Sequence, residues 1–251
     1  MILAYLDLLD ASPGAFLVFF GAVVTALLVG ISFHEFSHAF AADSLGDPTP
    51  RYRGRLTINP LAHLDPLGTM LLFIAGFGWG KPVPVNPNLM RNTSPKTGMA
   101  TVAGAGPASN LVIASLAALP IKLDAVPWHG PFFVLNMSAQ RVSAEIASWG
   151  AADYLGLYLS SIIIFGIILA IFNLIPLAPL DGFRVAVGIL PRELSESLAR
   201  TEQWGLPLLF IFLFGIPFLT GWSVNPLWDI MGPVVNGLIR LLTGVDTSVF
   251  G

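Results

Sequence analysis

An all-α polytopic membrane protein is the fold class that the sequence predicts, with about five to six transmembrane helices and a re-entrant or extended element near residues 66–97. Of the 251 residues, 55% are hydrophobic and only 11% are charged, whereas a soluble domain carries about 25% charged residues. Segments 14–33 and 154–180 contain no charged residue. An apolar run of about 20 residues is long enough for a helix to cross a bilayer, so these segments predict a membrane-embedded chain.

The predicted spans follow one another along the chain. The first covers residues 13–45, with Ser12 as its N-cap and Pro13 as its first helical residue. Gly46 and Pro48 mark its far end, because a glycine ends a helix easily and a proline cannot continue one. Further spans are predicted at 98–120, 154–177 and 203–222, and a weaker one at 226–243.

Residues 66–80 are apolar but differ from the other spans. A 15-residue helix is only about 22 Å long, against a hydrocarbon core of about 30 Å, and four glycines in this segment disfavour a regular helix. Residues 81–88 contain three prolines, which exclude a regular helix and favour an extended segment or a hairpin edge.

The distribution of basic residues predicts the topology. If 66–80 does not cross the membrane, every lysine and arginine except Lys122 and Arg141 falls on one side, which the positive-inside rule makes the cytoplasmic side. We therefore expect a re-entrant element at 66–80. The alternative is a crossing there that is compensated by a membrane-embedded segment at 131–149, which Arg141 and Glu145 disfavour.

Composition also excludes several function classes. The net charge is −3 without a basic tract, so nucleic acid is not an expected partner. The chain has no cysteine, which excludes disulfides and thiolate metal ligands. The first ten residues contain no lysine or arginine, so they do not resemble a cleaved signal peptide.

An H-E-x-x-H motif, formed by His34, Glu35 and His38, follows the uncharged part of the first span. Residues four apart share a helix face, so the two imidazoles point in one direction with Glu35 beside them. Zinc hydrolases use this arrangement. Ionisable side chains at membrane depth are costly and are usually functional. The alternative is a pair of buried, hydrogen-bonded histidines without a metal.

A catalytic zinc ion takes three protein ligands and a water molecule, so a third ligand is needed. The candidates are His63, His129 and Asp181. Asp181 follows an uncharged helix, two prolines and a glycine-permitted turn, and the expected topology places it on the same side of the membrane as His34 and His38.

Three motifs together resemble the site-2 protease family of intramembrane zinc metalloproteases: H-E-x-x-H at 34–38, GAGPASN at 104–110 and NLIPLAPLDG at 173–182. Segments 59–68 (NPLAHLDPLG) and 80–87 (GKPVPVNP) resemble a compact prokaryotic branch without PDZ or CBS domains. The resemblance implies one Zn²⁺ per chain, held by His34, His38 and Asp181, with Glu35 as general base.

The resemblance also implies a single membrane-embedded metalloprotease domain over residues 1–251, with a catalytic core at about 14–190 and C-terminal helices at about 203–243. The expected location is a prokaryotic cell membrane, which the chain crosses several times. The expected partners are the lipid bilayer and a transmembrane protein or peptide substrate. Cleavage is expected in or near the membrane segment of the substrate, in regulated proteolysis. No oligomeric state is indicated.

Three further polar residues are candidates for substrate or oxyanion contacts. Asn110 and Asn173 lie in apolar helices, where each either donates to the oxyanion or the substrate or makes an interhelical hydrogen bond. His63, near Asp65, is either a group near the site or the cap of a loop. A different class of function also remains: a metal-binding membrane protein without protease activity, that is, a pseudoprotease or a metal transporter.

Overall fold

A computed structural model describes residues 6–75, 78–91, 93–132 and 137–247. Within these ranges the regular secondary structure is helical and no strand is present, so the predicted all-α class is confirmed. The α-helices are α1 (Leu6–Ala11), α2 (Pro13–Ser44), α3 (Thr49–Tyr52), α4 (Pro66–Ala75), α5 (Pro95–Lys122), α6 (Ala139–Ile146), α7 (Ala151–Asn173), α8 (Asp181–Ile189), α9 (Arg192–Ala199), α10 (Glu202–Phe210), α11 (Ile216–Leu219) and α12 (Pro226–Thr243).

Several of these helices match the predicted spans. In the described ranges, four are long and apolar enough to cross a membrane: α2, α5, α7 and the continuous run from α10 to α11, which a π-helical segment joins. The weaker span predicted at 226–243 forms as α12, but it lies outside this set of four.

Helix α2 begins and ends where the sequence predicts. The Ser12 hydroxyl accepts a hydrogen bond from the Ala15 amide, and Pro13 occupies the first turn, where its missing N–H is not needed. Beyond the last turn, Gly46 has a φ of +100°, a conformation that favours glycine. The chain therefore turns away from the helix immediately after Ser44.

Helix α7 packs parallel to α2. A methyl group added at Gly21 would lie 2.9 Å from the Tyr158 hydroxyl, and one added at Gly30 would lie 2.7 Å from Leu169 Cδ1. Residue numbers therefore increase together along the two helices. It follows that the C-terminal ends of α2 and α7 lie at the same end of the bundle.

Helix α5 packs antiparallel to both. The Ser109 hydroxyl donates to the Phe33 carbonyl at 3.2 Å, whereas Val102 packs with Ala42 in one apolar cluster. Later residues of α5 thus meet earlier residues of α2. The N-terminal end of α5 lies beside the C-terminal end of α2.

Helix α8 lies against the N-terminal half of α5. A methyl group at Gly188 would overlap the Ala100 side chain, and one at Gly104 would lie 3.8 Å from Val185 Cγ2. Small residues of α5 and α8 therefore allow the two helices to pack closely. Helix α8 begins where Gly182 approaches the Leu174 backbone, too closely for a side chain.

The chain makes a hairpin between α3 and α5. Leu64 and Gly80 form an isolated antiparallel bridge, and the Lys81 amide donates to the His63 carbonyl at 2.7 Å. Between them α4 has ten residues and is only about 15 Å long; residues 76 and 77 of the predicted 66–80 element lie outside the described ranges. The chain thus returns to the point that it left, as the re-entrant prediction requires, and α5 can run antiparallel to α2.

Residues after the hairpin are held against the end of α2. The buried Asp47 carboxylate accepts a hydrogen bond from the Asn86 amide at 2.6 Å, and the Arg91 amide donates to the Leu45 carbonyl at 3.0 Å. Residues 81–86 are non-helical, as their prolines predict, and a short 3₁₀ turn follows at Pro87–Leu89.

Substitution of Gly68 tests the tight closure of the hairpin. A methyl group there would overlap the Trp79 carbonyl oxygen, and overpacking of this kind costs about 1–3 kcal/mol. We expect Gly68→Ala to lower the Tm of the detergent-solubilised protein. Gly237→Ala, whose added methyl meets nothing within 4 Å, is the control. An unchanged Tm for Gly68→Ala would contradict the hairpin geometry.

Candidate metal centre

Two histidines of α2 and the first residue of α8 meet inside the bundle. His34 Nε2 lies 2.9 Å from Asp181 Oδ2, and His38 Nε2 lies 3.2 Å from the same oxygen. The two imidazole centroids are 4.6 Å apart, with the ring planes at 88°. One ligand atom from each of the three residues lies within 4.8 Å of the others. The fold therefore brings together the three residues that the motifs single out.

These positions fit a zinc ion. With metal–ligand bonds of about 2.0–2.1 Å, tetrahedral ligand atoms lie about 3.3 Å apart, close to the observed separations from Asp181. The donor set is two imidazoles and a carboxylate, which suits a divalent metal.

Helix α5 forms the wall behind the two imidazoles. A methyl group at Gly106 would lie 2.5 Å from His38 Nε2 and 2.7 Å from His34 Cε1. Only glycine allows the backbone of α5 to approach both rings so closely. The contact was not predicted from the sequence, although the four-residue spacing of 102, 106 and 110 places these residues on one helix face.

The same face of α5 contacts the outer nitrogens of the histidines. His38 Nδ1 lies 2.7 Å from the Val102 carbonyl oxygen, and His34 Nδ1 lies 3.2 Å from Asn110 Nδ2. Asn110 is fully buried. Its amide lies on the Nδ1 side of His34, whereas Nε2 faces Asp181. Asn110 thus makes an interhelical hydrogen bond, one of the two contacts expected for it.

Glu35 lies between the histidines in sequence and faces the hairpin. A methyl group at Gly80 would lie 3.4 Å from Glu35 Oε1. Within the described part of the chain the Glu35 carboxylate has no hydrogen-bond partner, while His38, Asp181 and Arg55 are close enough for their charges to act on it. The carboxylate is therefore available to accept a proton at the edge of the cluster.

Arg55 is a buried residue that the sequence analysis did not single out. Its guanidinium donates to the Ala62 carbonyl and, at 3.5 Å, to the Lys81 carbonyl. It thus joins the loop before the hairpin to the residue after it, close to Glu35. In the sequence, Arg55 stands two residues after Arg53 and four after Arg51, and nothing in this pattern distinguishes the buried arginine from its two exposed neighbours.

His63 and Asn173 each bond to a nearby backbone carbonyl. His63 is fully buried, and its Nε2 donates to the Thr57 carbonyl at 2.7 Å, a contact that holds the loop. Burial, with the positive charge of Arg55, lowers the pKa of His63 although the bond to Thr57 acts in the opposite direction. The Asn173 amide donates to the Leu169 carbonyl of its own helix at 2.9 Å.

His129 does not join the cluster either. Its Nε2 lies 2.9 Å from Asp153 Oδ1, near the first turn of α7. Since α7 runs parallel to α2, this end of α7 is opposite to the end that holds Asp181. Of the three candidates for a third ligand, Asp181 is the one that the fold brings to His34 and His38.

Comparison with known proteins gives several relatives. The chain is 32% identical over 224 residues to "Putative zinc metalloprotease YwhC" of Bacillus subtilis, which covers 89% of this chain and 91% of the relative. It is 31% identical over 214 residues to "Putative zinc metalloprotease Rip2" of Mycolicibacterium smegmatis, covering 84% of this chain and 73% of the relative. The Rip2 protein of Mycobacterium tuberculosis is 32% identical over 240 residues, covering 92% and 82%. No family model and no solved structure matches the chain.

Two glycines of α5 provide a matched test of the wall behind the histidines. Gly106→Ala places a methyl group against both imidazoles, whereas Gly104→Ala meets only Val185 at an ordinary contact distance. Both changes favour the helix by about 1 kcal/mol. We expect zinc affinity, measured by chelator competition, to fall at least about tenfold in Gly106→Ala and to stay unchanged in Gly104→Ala. Equal affinities in the two variants would show that α5 does not constrain the rings.

Proposed function

The chain belongs to the zinc metalloprotease family that these relatives represent, and from this premise we propose that it is an intramembrane endopeptidase of the site-2 protease type. The proposed reaction is hydrolysis of peptide bonds in or near transmembrane segments of membrane-protein substrates, in regulated proteolysis. One observation carries the proposal: His34, His38 and Asp181 converge within a bundle of apolar helices, beside the glutamate of the same H-E-x-x-H motif.

In this proposal His34 Nε2, His38 Nε2 and an Asp181 carboxylate oxygen hold one zinc ion per chain. Bound there, zinc would lower the pKa of a water molecule to about 7 and polarise the scissile carbonyl. The chain supplies the three ligands from two helices, and its apolar surroundings limit access of bulk water to the cluster.

Glu35 is the proposed general base. It takes a proton from water as the water oxygen bonds to the carbonyl carbon of the peptide. It then gives that proton to the amide nitrogen as the carbon–nitrogen bond breaks, so the products are a carboxylic acid and an amine. Its lack of a hydrogen-bond partner among the described residues supports this role, because no competing contact holds the carboxylate.

We propose that the protein crosses a prokaryotic cell membrane several times, with the site toward the cytoplasmic side. His34 and His38 precede the end of α2 at Ser44 by ten and six residues, or about 15 and 9 Å along the helix. The cluster would thus lie in the cytoplasmic half of a hydrocarbon core about 30 Å thick. The antiparallel course of α5 supports a hairpin that enters and leaves from that side.

The extended segment 81–86 is the proposed edge on which an unwound substrate pairs. A transmembrane helix hides its carbonyls in its own hydrogen bonds, so cleavage requires an extended stretch. In the described part of the chain, the backbones of Val83 and Val85 make no hydrogen bond. Free backbone groups of this kind bind peptides as an added strand, and Gly80, the residue before the segment, lies next to Glu35.

Glu35→Gln separates chemistry from metal binding. The change removes the base and leaves the three ligands, so we expect a zinc content near one per chain and at least a 100-fold loss of cleavage of model transmembrane peptides. His34→Ala with His38→Ala is the matched control and should lose zinc as well as activity. Cleavage by Glu35→Gln at the wild-type rate would contradict the proposed mechanism, in which Glu35 is the general base. Zinc binding without cleavage by the wild type would favour a metal-binding protein.

Single cysteines test the proposed topology, because the chain contains none. We expect a membrane-impermeant maleimide to label Arg53→Cys and Arg91→Cys from the cytoplasmic side and Lys122→Cys from the opposite side. Labelling of positions 53 and 91 from opposite sides would refute the re-entrant hairpin.

A further inference from the structure

We propose that Asn110 is a positioning residue whose amide turns to accept the Nδ1 proton of His34 and so stabilises the tautomer that leaves His34 Nε2 available to zinc. This inference rests on the proposed function and assigns Asn110 a role in metal binding instead of substrate contact. It follows from which atoms face the two ring nitrogens of His34.

The two nitrogens of His34 have different partners. Nε2 lies 2.9 Å from Asp181 Oδ2, whereas Nδ1 lies 3.2 Å from the Asn110 amide. Asn110 is fully buried and His34 is nearly so. A neutral imidazole carries one proton, and a nitrogen that binds metal must be the one without it. Zinc on Nε2 therefore requires a proton on Nδ1, and that proton requires an acceptor.

The neighbouring histidine has such an acceptor. His38 Nδ1 lies 2.7 Å from the Val102 carbonyl oxygen, which can only accept a hydrogen bond. This contact places the proton of neutral His38 on Nδ1 and leaves Nε2 free for metal. Val102 and Asn110 lie eight residues apart on α5, on the face that also contains Gly106. One helix face thus contacts the outer nitrogen of both imidazoles.

An asparagine amide, unlike a carbonyl, can serve either tautomer. Asn110 Nδ2 faces His34 Nδ1, an arrangement that suits a metal-free ring whose Nε2–H donates to Asp181. Asn110 Oδ1 is buried and has no hydrogen-bond partner in the described part of the chain. A half-turn of the amide exchanges the two atoms, and the orphaned oxygen then accepts the Nδ1 proton. Zinc binding and this orientation of the amide therefore favour each other.

Two substitutions of opposite character test the inference. Asn110→Asp keeps an acceptor opposite Nδ1, so we expect zinc affinity within about threefold of the wild type. Asn110→Leu keeps the volume and removes the acceptor, so we expect affinity to fall by about 10–100-fold. A purely space-filling role gives the reverse order, because leucine suits a buried helix contact and a buried carboxylate does not.

Zinc affinity is measured by chelator competition on the purified full chain, and Co²⁺ absorption bands report whether the coordination remains tetrahedral. Ser161→Ala, which removes another buried hydrogen bond of the bundle, is the control and should bind zinc like the wild type. Wild-type affinity in Asn110→Leu, or equal losses in the Asp and Leu variants, would overturn the inference.

A second measurement covers the case in which Asn110→Asp does not fold. In ¹⁵N NMR of the histidine-labelled wild type, zinc should leave His34 Nδ1 protonated, and an unprotonated Nδ1 in the zinc-loaded protein would overturn the inference. A wild type that binds no zinc would instead refute the proposed function. The affinity measurements do not depend on proteolysis, so the two failures are distinguishable.

Discussion

The close contact between α5 and the imidazoles of His34 and His38 is the constraint on which the rest of the site depends. A Cβ atom at Gly106 would lie 2.5 Å from the His38 ring, so the backbone of α5 itself forms the wall of the cluster. This approach places residues one turn before and one turn after Gly106 against the outer ring nitrogens. It also fixes the side of α2 on which Asp181 must arrive, because α8 packs on the same helix.

The hairpin between α3 and α5 makes that contact possible. A full crossing at 66–80 would have sent α5 parallel to α2, and the ends of α7 and α2 would then lie at opposite ends of the bundle. The bridge between Leu64 and Gly80 instead closes the segment at its base. The same hairpin presents Gly80 to Glu35, so one loop both sets the direction of α5 and borders the edge of the cluster at which Glu35 lies.

Burial of polar groups among apolar helices is tolerated here because most of them have specific partners. Asp47 accepts hydrogen bonds from Thr49 and Asn86, and Arg55 donates to two backbone carbonyls. These contacts hold the loops at the end of α2, next to the cluster. Unpartnered buried polar atoms cost free energy, so an exception beside the histidines, such as Asn110 Oδ1, indicates a group whose partner depends on the state of the site.

The sequence by itself determined the helical class, the limits of the main apolar helices and the residues His34, Glu35, His38 and Asp181, because helical periodicity, charge and motif spacing are local properties. The expected number of membrane crossings also predicted that Asp181 lies at the same end of the bundle as His34 and His38. The roles of Gly106, Arg55 and the Val102 carbonyl, and the direction in which the Asn110 amide points, were decided by the tertiary structure. These depend on distances between segments far apart in sequence. A backbone carbonyl has no signature in the amino-acid pattern, and a glycine or an arginine is visible there without the group that it contacts.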